Sequence, residues 1–134
     1  MDREVSFDYE RFLTPVGFVW VPIASVEVFH GNHGIELDFV VDSGADLTMV
    51  PLRIGHLLQL KRGTRRDGKL SGIAGGVSYT LHRVTLGIGP FRISSRLAWA
   101  DDDDVPLLLG RVEALDRFVI TLDGRRRRVT FRQA

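Results

Sequence analysis

The 134-residue sequence predicts an all-β fold, a single barrel-like domain with one or two short helices. Three observations predict it. Short apolar runs rich in Val, Ile, Leu and Phe recur from Val16 onward, and turn signals such as Gly31-Asn32, Gly89-Pro90 and Asp123-Gly124 interrupt them. Turns at intervals of about ten residues are the cadence of a sandwich or barrel. Helical spacing is confined to two short stretches, and the length suits one hydrophobic core with no internal repeat and no linker.

Residues 1–15 are polar and irregular and are expected to form an N-terminal arm, with the folded domain over 16–134. Apolar residues recur from Val16 to Phe29, with Val26 and Val28 alternating against Glu27. The turn Gly31-Asn32-His33-Gly34 then returns the chain as a strand over Ile35–Val41, which makes a hairpin. Pro51–Leu60 carries Leu52, Leu57, Leu58 and Leu60 but also Gly55, so a short or distorted helix is expected. Lys61–Lys69 is basic and glycine-punctuated, hence exposed. Val77–Gly87 and Phe91–Ala100 read as two strands joined at Gly89-Pro90, and the unbroken apolarity of Val105–Leu109 reads as a buried strand. A short helix is expected over Arg111–Arg117, then a hairpin of Phe118–Leu122 and Arg127–Phe131 around Asp123-Gly124.

Lys plus Arg number 18 and Asp plus Glu 17, a formal charge of +1. That balance suggests neither nucleic acid nor an anionic membrane as partner. With no cysteine there is no disulfide framework, no thiolate nucleophile and no cysteine zinc site. The start lacks the apolar core of a signal peptide and no stretch reaches membrane-spanning length, so the cytoplasm is the expected location. His30 and His33 flank a turn and are expected to be exposed. His56 and His82 stand alone, and none of the four has metal-ligand spacing.

The most informative feature is Asp42-Ser43-Gly44-Ala45 at the end of the apolar run Leu37-Asp38-Phe39-Val40-Val41. A strand that breaks into an acid, a hydroxyl and a glycine makes a tight turn, and glycine lets a second backbone or a ligand come close. A carboxylate backed by such a strand is placed for chemistry, because burying it for any other reason is costly. This turn resembles the active-site turn of the aspartic proteases, and the chain length and the continuation Ala45-Asp46-Leu47-Thr48 resemble the single-domain, retroviral type. Leu107-Leu108-Leu109-Gly110-Arg111 resembles the second signature of that family, an apolar strand and glycine running under the turn. Ser71-Gly72-Ile73-Ala74-Gly75-Gly76, between the two, falls where the family carries its glycine-rich flap. The resemblance covers about residues 19–117 and makes 16–134 an aspartic protease domain with a retropepsin-like barrel.

What the resemblance implies is an aspartic endopeptidase. Asp42 would be catalytic, within an active-site turn completed by Ser43, Gly44 and Ala45. One such turn per chain implies a homodimer with the site on its two-fold axis. Ser43 would bond across the axis or to its own backbone, two readings the sequence does not separate. Asp46 would hold substrate main chain and pair with Arg111, with Leu109 and Gly110 as structural support. Gly72, Ile73 and Ala74 would close over a peptide or protein substrate, although Ala74 stands where glycine is common. No cofactor and no metal is implied. The other function class is a non-hydrolytic peptide-binding or dimerisation module that keeps the protease fold. The acidic run Asp101–Asp104 and basic run Arg125–Arg128 read as solvated faces, with mutual attraction as one use. Trp20 and Trp99 are expected in the core or at a dimer interface.

Overall fold

A computed structural model describes residues 3–70 and 76–133. The strands are β1 (Glu4–Asp8), β2 (Glu10–Thr14), β3 (Gly17–Val21), β4 (Ile23–His30), β5 (His33–Val41), β6 (Thr48–Val50), β7 (Gly68–Leu70), β8 (Val77–Ile88), β9 (Phe91–Ala100), β10 (Leu108–Leu109), β11 (Phe118–Asp123) and β12 (Arg128–Gln133). One α-helix, α1 (Leu52–Leu57), and a 3₁₀ turn over Leu115–Arg117 complete the described elements.

The principal sheet runs β4-β5-β10-β6-β9-β8-β7, and pairing of β4 with β8 from Glu27↔Gly87 to Phe29↔Thr85 closes it into a barrel. β4 and β5 form the expected hairpin, with Gly31 at the turn in the left-handed region (φ +58°) that favours glycine. β8 and β9 pair from Tyr79↔Ala100 to Ile88↔Phe91 about Gly89-Pro90. The alternation of Val26 and Val28 against Glu27 resolves as it should: both valines are fully buried in the barrel and Glu27 is exposed. Phe39, Val50, Leu58, Leu86, Leu97, Trp99 and Leu109 fill the same core, and Phe131 and Val129 join it from the C-terminal hairpin. A smaller cluster of Met49, Val77, Ala98, Ala100 and Val105 lies at one end.

Several elements differ from the sequence expectation. The arm expected over 1–15 is not irregular over 4–14: β1 adds to β12, with Val5↔Phe131 and Phe7↔Val129, in a three-stranded sheet β1-β12-β11, and β2 pairs with β3. The polar residues of β1 are exposed, so a one-sided strand with few apolar positions was hidden by composition. Pro22 divides the apolar stretch Val16–Phe29 into β3 and β4. The exposed basic segment ends in β7, and the buried strand over 105–109 is regular only at Leu108–Leu109. The helix expected over 111–117 is a run of turns ending in the 3₁₀ segment, because Glu113 adopts a left-handed backbone (φ +64°). That turn carries its carboxylate to Arg83 on β8 and Arg96 on β9.

The short helix expected within 51–60 is present as α1, over Leu52–Leu57, and its glycine has a packing reason. A methyl group at Gly55 would overlap the indole of Trp99, whose Nε1–H donates to the Leu52 carbonyl (2.9 Å). Trp99 is therefore a core residue, whereas Trp20 is exposed on β3.

Candidate active site

The site is built where β5 ends. The Val41 amide donates to the Pro22 carbonyl (2.9 Å) and the Asp42 amide to the Leu109 carbonyl (3.1 Å), which carries the apolar strand to the acid and stops it there. The chain then turns on Asp42 itself. Its carboxylate accepts the Gly44 amide (2.9 Å) and its carbonyl accepts the Ala45 amide (3.1 Å). An aspartate bonded to the backbone two residues ahead mimics a turn, which is why this residue type starts one. Asp42 and Ala45 are half-buried, and Ser43, Gly44 and Asp46 are exposed.

A second segment holds this turn from below. β10 lies between β5, to which it is parallel, and β6, to which it is antiparallel, through Leu108↔Val40, Leu109↔Val41 and Leu108↔Met49. The following residues grip the turn. The Gly110 amide donates to Oγ1 of buried Thr48 (3.1 Å), the Arg111 amide to the Ala45 carbonyl (3.0 Å) and the Val112 amide to the Asp46 carbonyl (2.9 Å). Backbone comes so close that a Cβ at Gly110 would overlap the Leu47 carbonyl group. Glycine at 110 is thus a requirement of the crossing.

Arg111 forms an ion pair with Asp46. In the single chain this pair is solvent-facing, with side chains 47% and 77% exposed. Gly72, Ile73 and Ala74 lie outside the described residues. The strands that flank that segment, β7 and the start of β8, pair antiparallel from Gly68↔Tyr79 to Leu70↔Val77 and stand over the Asp42 turn as one wall of a groove.

The groove has a volume of about 430 Å³. Asp42, Gly44, Ala45 and Asp46 line one side, and Leu47, Met49, Leu70, Tyr79, Ala98, Leu108 and Lys69 line the rest. The cleft has a mixed polar and apolar lining, with the Asp42 carboxylate among its polar groups, and a concave site with a few placed polar groups is suited to bind a ligand. Thr48, Leu70 and Tyr79 were not singled out by sequence reasoning. Thr48 reads as the first residue of the apolar run Thr48-Met49-Val50. Leu70 and Tyr79 reveal themselves only through the β7–β8 pairing.

The charged runs are engaged away from the groove. Asp101 pairs with Arg62 and Arg66, Asp103 with Arg53, Arg126 with Asp123 and Arg128 with Asp8. His30 and His33 are half-buried rather than exposed, and His30 Nδ1 lies 3.0 Å from the Leu58 carbonyl. His82 packs edge-on to Trp99, and burial, aided by nearby Arg65, pushes its imidazole below the ordinary range. Among the described residues no group of three or more His, Asp or Glu side chains is placed to hold a metal ion, and no helix is long and apolar enough to cross a membrane.

Residues 24–112, from β4 through the segment that grips the turn, match the aspartyl protease family. The chain belongs to that family. The fold of this family member is similar to that of a retropepsin-like aspartic protease from Rickettsia conorii, at 16% identity over 96% of this chain and 98% of the other (TM-score 0.67). It is also similar to the EIAV protease, solved with an inhibitor, at 22% identity over 68% and 82% (TM-score 0.55). A third likeness is the retroviral protease-like domain of Ddi1 from Leishmania major, at 18% identity over 77% and 82% (TM-score 0.52). No curated protein matches the chain in sequence.

Proposed function

We propose that this aspartyl protease family member is a homodimeric endopeptidase that hydrolyses peptide bonds with water held between two Asp42 carboxylates, one from each chain. One observation carries the reading: Asp42 begins a turn clamped from below by Gly110, Arg111 and Val112 and opens onto the groove. Such a clamp fixes a carboxylate in position before substrate arrives, which is what general acid–base chemistry requires. A single chain supplies one such acid, so a symmetric pair completes the site.

Two facing carboxylates cannot both ionise cheaply and share a proton, the behaviour for which aspartic proteases are the standard case. The ionised member takes a proton from water while the protonated member donates a hydrogen bond to the scissile carbonyl. Water oxygen bonds to the carbonyl carbon as the C=O π bond opens, and the carbonyl oxygen takes the proton of the second carboxyl, giving a tetrahedral gem-diol. The carboxyl that took the water proton then protonates the amide nitrogen, the C–N bond breaks, and a diol hydroxyl returns its proton to the other carboxylate as the carbonyl re-forms, releasing acid and amine. Asp46, exposed at the groove rim, is suited to accept substrate main-chain amides, and Leu47, Met49, Leu70 and Leu108 to contain an apolar side chain. Ser43 and the segment Gly72-Ile73-Ala74 take the cross-axis and covering roles that the family resemblance assigns them.

The test is cleavage of a peptide library by the purified chain and by Asp42→Asn, over pH 3–8. The amide keeps the shape of the acid but supplies neither base nor shared proton, so the variant should fold normally and cleave nothing. Wild-type-like cleavage by Asp42→Asn removes the assignment. A normally folded wild type that binds peptides without cutting them establishes the non-hydrolytic module instead.

A further inference from the structure

Among the described residues, strands β2 and β3 pair with each other and with no other strand. A lone two-stranded hairpin is at best marginally stable in water. This one also exposes apolar side chains in quantity: Leu13 is 73% exposed, Val16 87%, Phe18 59%, Phe12 44% and Trp20 42%. Their register groups them. Leu13 faces Phe18 and Arg11 faces Trp20 across the two strands, so these four share one face, with Phe12 and Val19 on the other. Arg11 stacks over Phe18 (4.3 Å) and Arg127 over Trp20 (4.0 Å), which covers each ring in part. A patch of this kind on a protein surface calls for a partner.

The root of the hairpin identifies the partner. β3 ends at Val21, and the Pro22 carbonyl that follows accepts the Val41 amide, one residue before Asp42. If two Asp42 carboxylates meet on a two-fold axis, the second copy lies against this corner of the molecule. We infer that the β2–β3 hairpin is a dimerisation arm whose Leu13, Phe18 and Trp20 face packs on a second copy of this chain. The inference rests on the shared-site reading above and adds the surface that joins the chains. A buried aromatic contributes roughly 150–250 Å². The exposed parts of Phe18 and Trp20, with Leu13 and with Val16 at the turn, therefore supply several hundred Å² per chain, a large share of the roughly 800 Å² per partner of a stable interface. Two copies related by a two-fold axis bury this face twice.

The chain has no cysteine, which permits a direct test. Leu13→Cys is labelled with a maleimide across the concentrations at which sedimentation shows monomer passing to dimer. The labelling rate should fall severalfold as dimer forms, while Leu57→Cys, at an exposed position on α1, should keep its rate. In parallel, the double variant Leu13→Ser and Phe18→Ser should raise the dimer Kd about tenfold or more with the barrel intact by circular dichroism. If the double variant does not fold, the cysteine measurement decides alone. A dimer in which Leu13→Cys stays fully reactive, with the arm free for a membrane or an unrelated protein, overturns the inference, as does a wild type that remains monomeric throughout. The protease reading fails separately: a chain that dimerises through the arm yet cleaves no peptide sinks the activity and leaves the arm standing.

Discussion

Gly110→Ala tests the clamp beneath the Asp42 turn. The added methyl group would overlap the Leu47 carbonyl group and crowd the Thr48 amide, atoms of backbone that cannot swing aside as a side chain would. Overpacking of this kind costs about 1–3 kcal/mol. The forced shift also weakens the buried bond from the Gly110 amide to Thr48 Oγ1, worth about 0.5–1.5 kcal/mol. The sum is a loss of about 1.5–4.5 kcal/mol, or a fall in Tm of about 5–17 °C for a domain of this size. The assay is urea unfolding at one fixed protein concentration, since dimerisation makes stability concentration-dependent. Gly124→Ala is the control: nothing lies within 4 Å of a Cβ there, so its stability should stay near wild type. A Gly110→Ala protein within about 0.5 kcal/mol of wild type would refute the close crossing, because surface substitutions have effects of that size.

Further outcomes are expected. If each chain supplies half the site, activity per chain should fall on dilution, tracking the dimer fraction in sedimentation, and constant specific activity into the monomer range would exclude the shared dyad. Arg111→Ala should change the unfolding free energy of the monomer by under about 1 kcal/mol, since both partners of the Arg111–Asp46 pair face solvent; a loss confined to the dimer would show that the pair is covered there. The Glu113 carboxyl is held at about 2, well below its ordinary 4.5, first by the hydrogen bond from Arg96 and then by Arg83. A lowered folded-state value means that its contribution is complete above pH 4.5 and is lost as pH falls toward 2. Unfolding midpoints of wild type and Glu113→Gln should therefore converge between pH 5 and 2, and a constant gap would mean that the arginines do not act through its charge.

Much of the barrel was legible because its strands are amphipathic or bounded by strong turn signals. Gly89-Pro90 fixes the β8–β9 hairpin, and Asp123-Gly124 fixes β11–β12. The N-terminal strands were not legible. β1 buries part of one face against β12, a partner over a hundred residues away, so its Val5 and Phe7 carry a pattern too sparse to separate from an irregular arm. The helix expected over 111–117 failed for a different reason. Glu113 turns out of helical backbone to reach Arg83 and Arg96, and long-range ion pairs override local propensity without leaving a local trace.

The site divides along the same line between local and non-local chemistry. Asp42 and Gly44 encode their turn by themselves, because the aspartate bonds its own backbone two residues on. From its own residues Gly110 reads as a glycine after an apolar run, and only the family resemblance puts it under the turn; its close passage beneath Leu47 and Thr48 is a property of the β5-β10-β6 order. Thr48 shows the limit most clearly. Among three buried residues of β6 it alone carries a hydroxyl, and that hydroxyl is consumed by the Gly110 amide. An alanine there would leave a buried donor unpaired at a cost of about 1–3 kcal/mol, directly behind the turn that positions Asp42. In sequence it is one more β-branched residue at the start of a strand. The chemistry of the turn is thus written locally, and its rigidity is written in a segment more than sixty residues downstream.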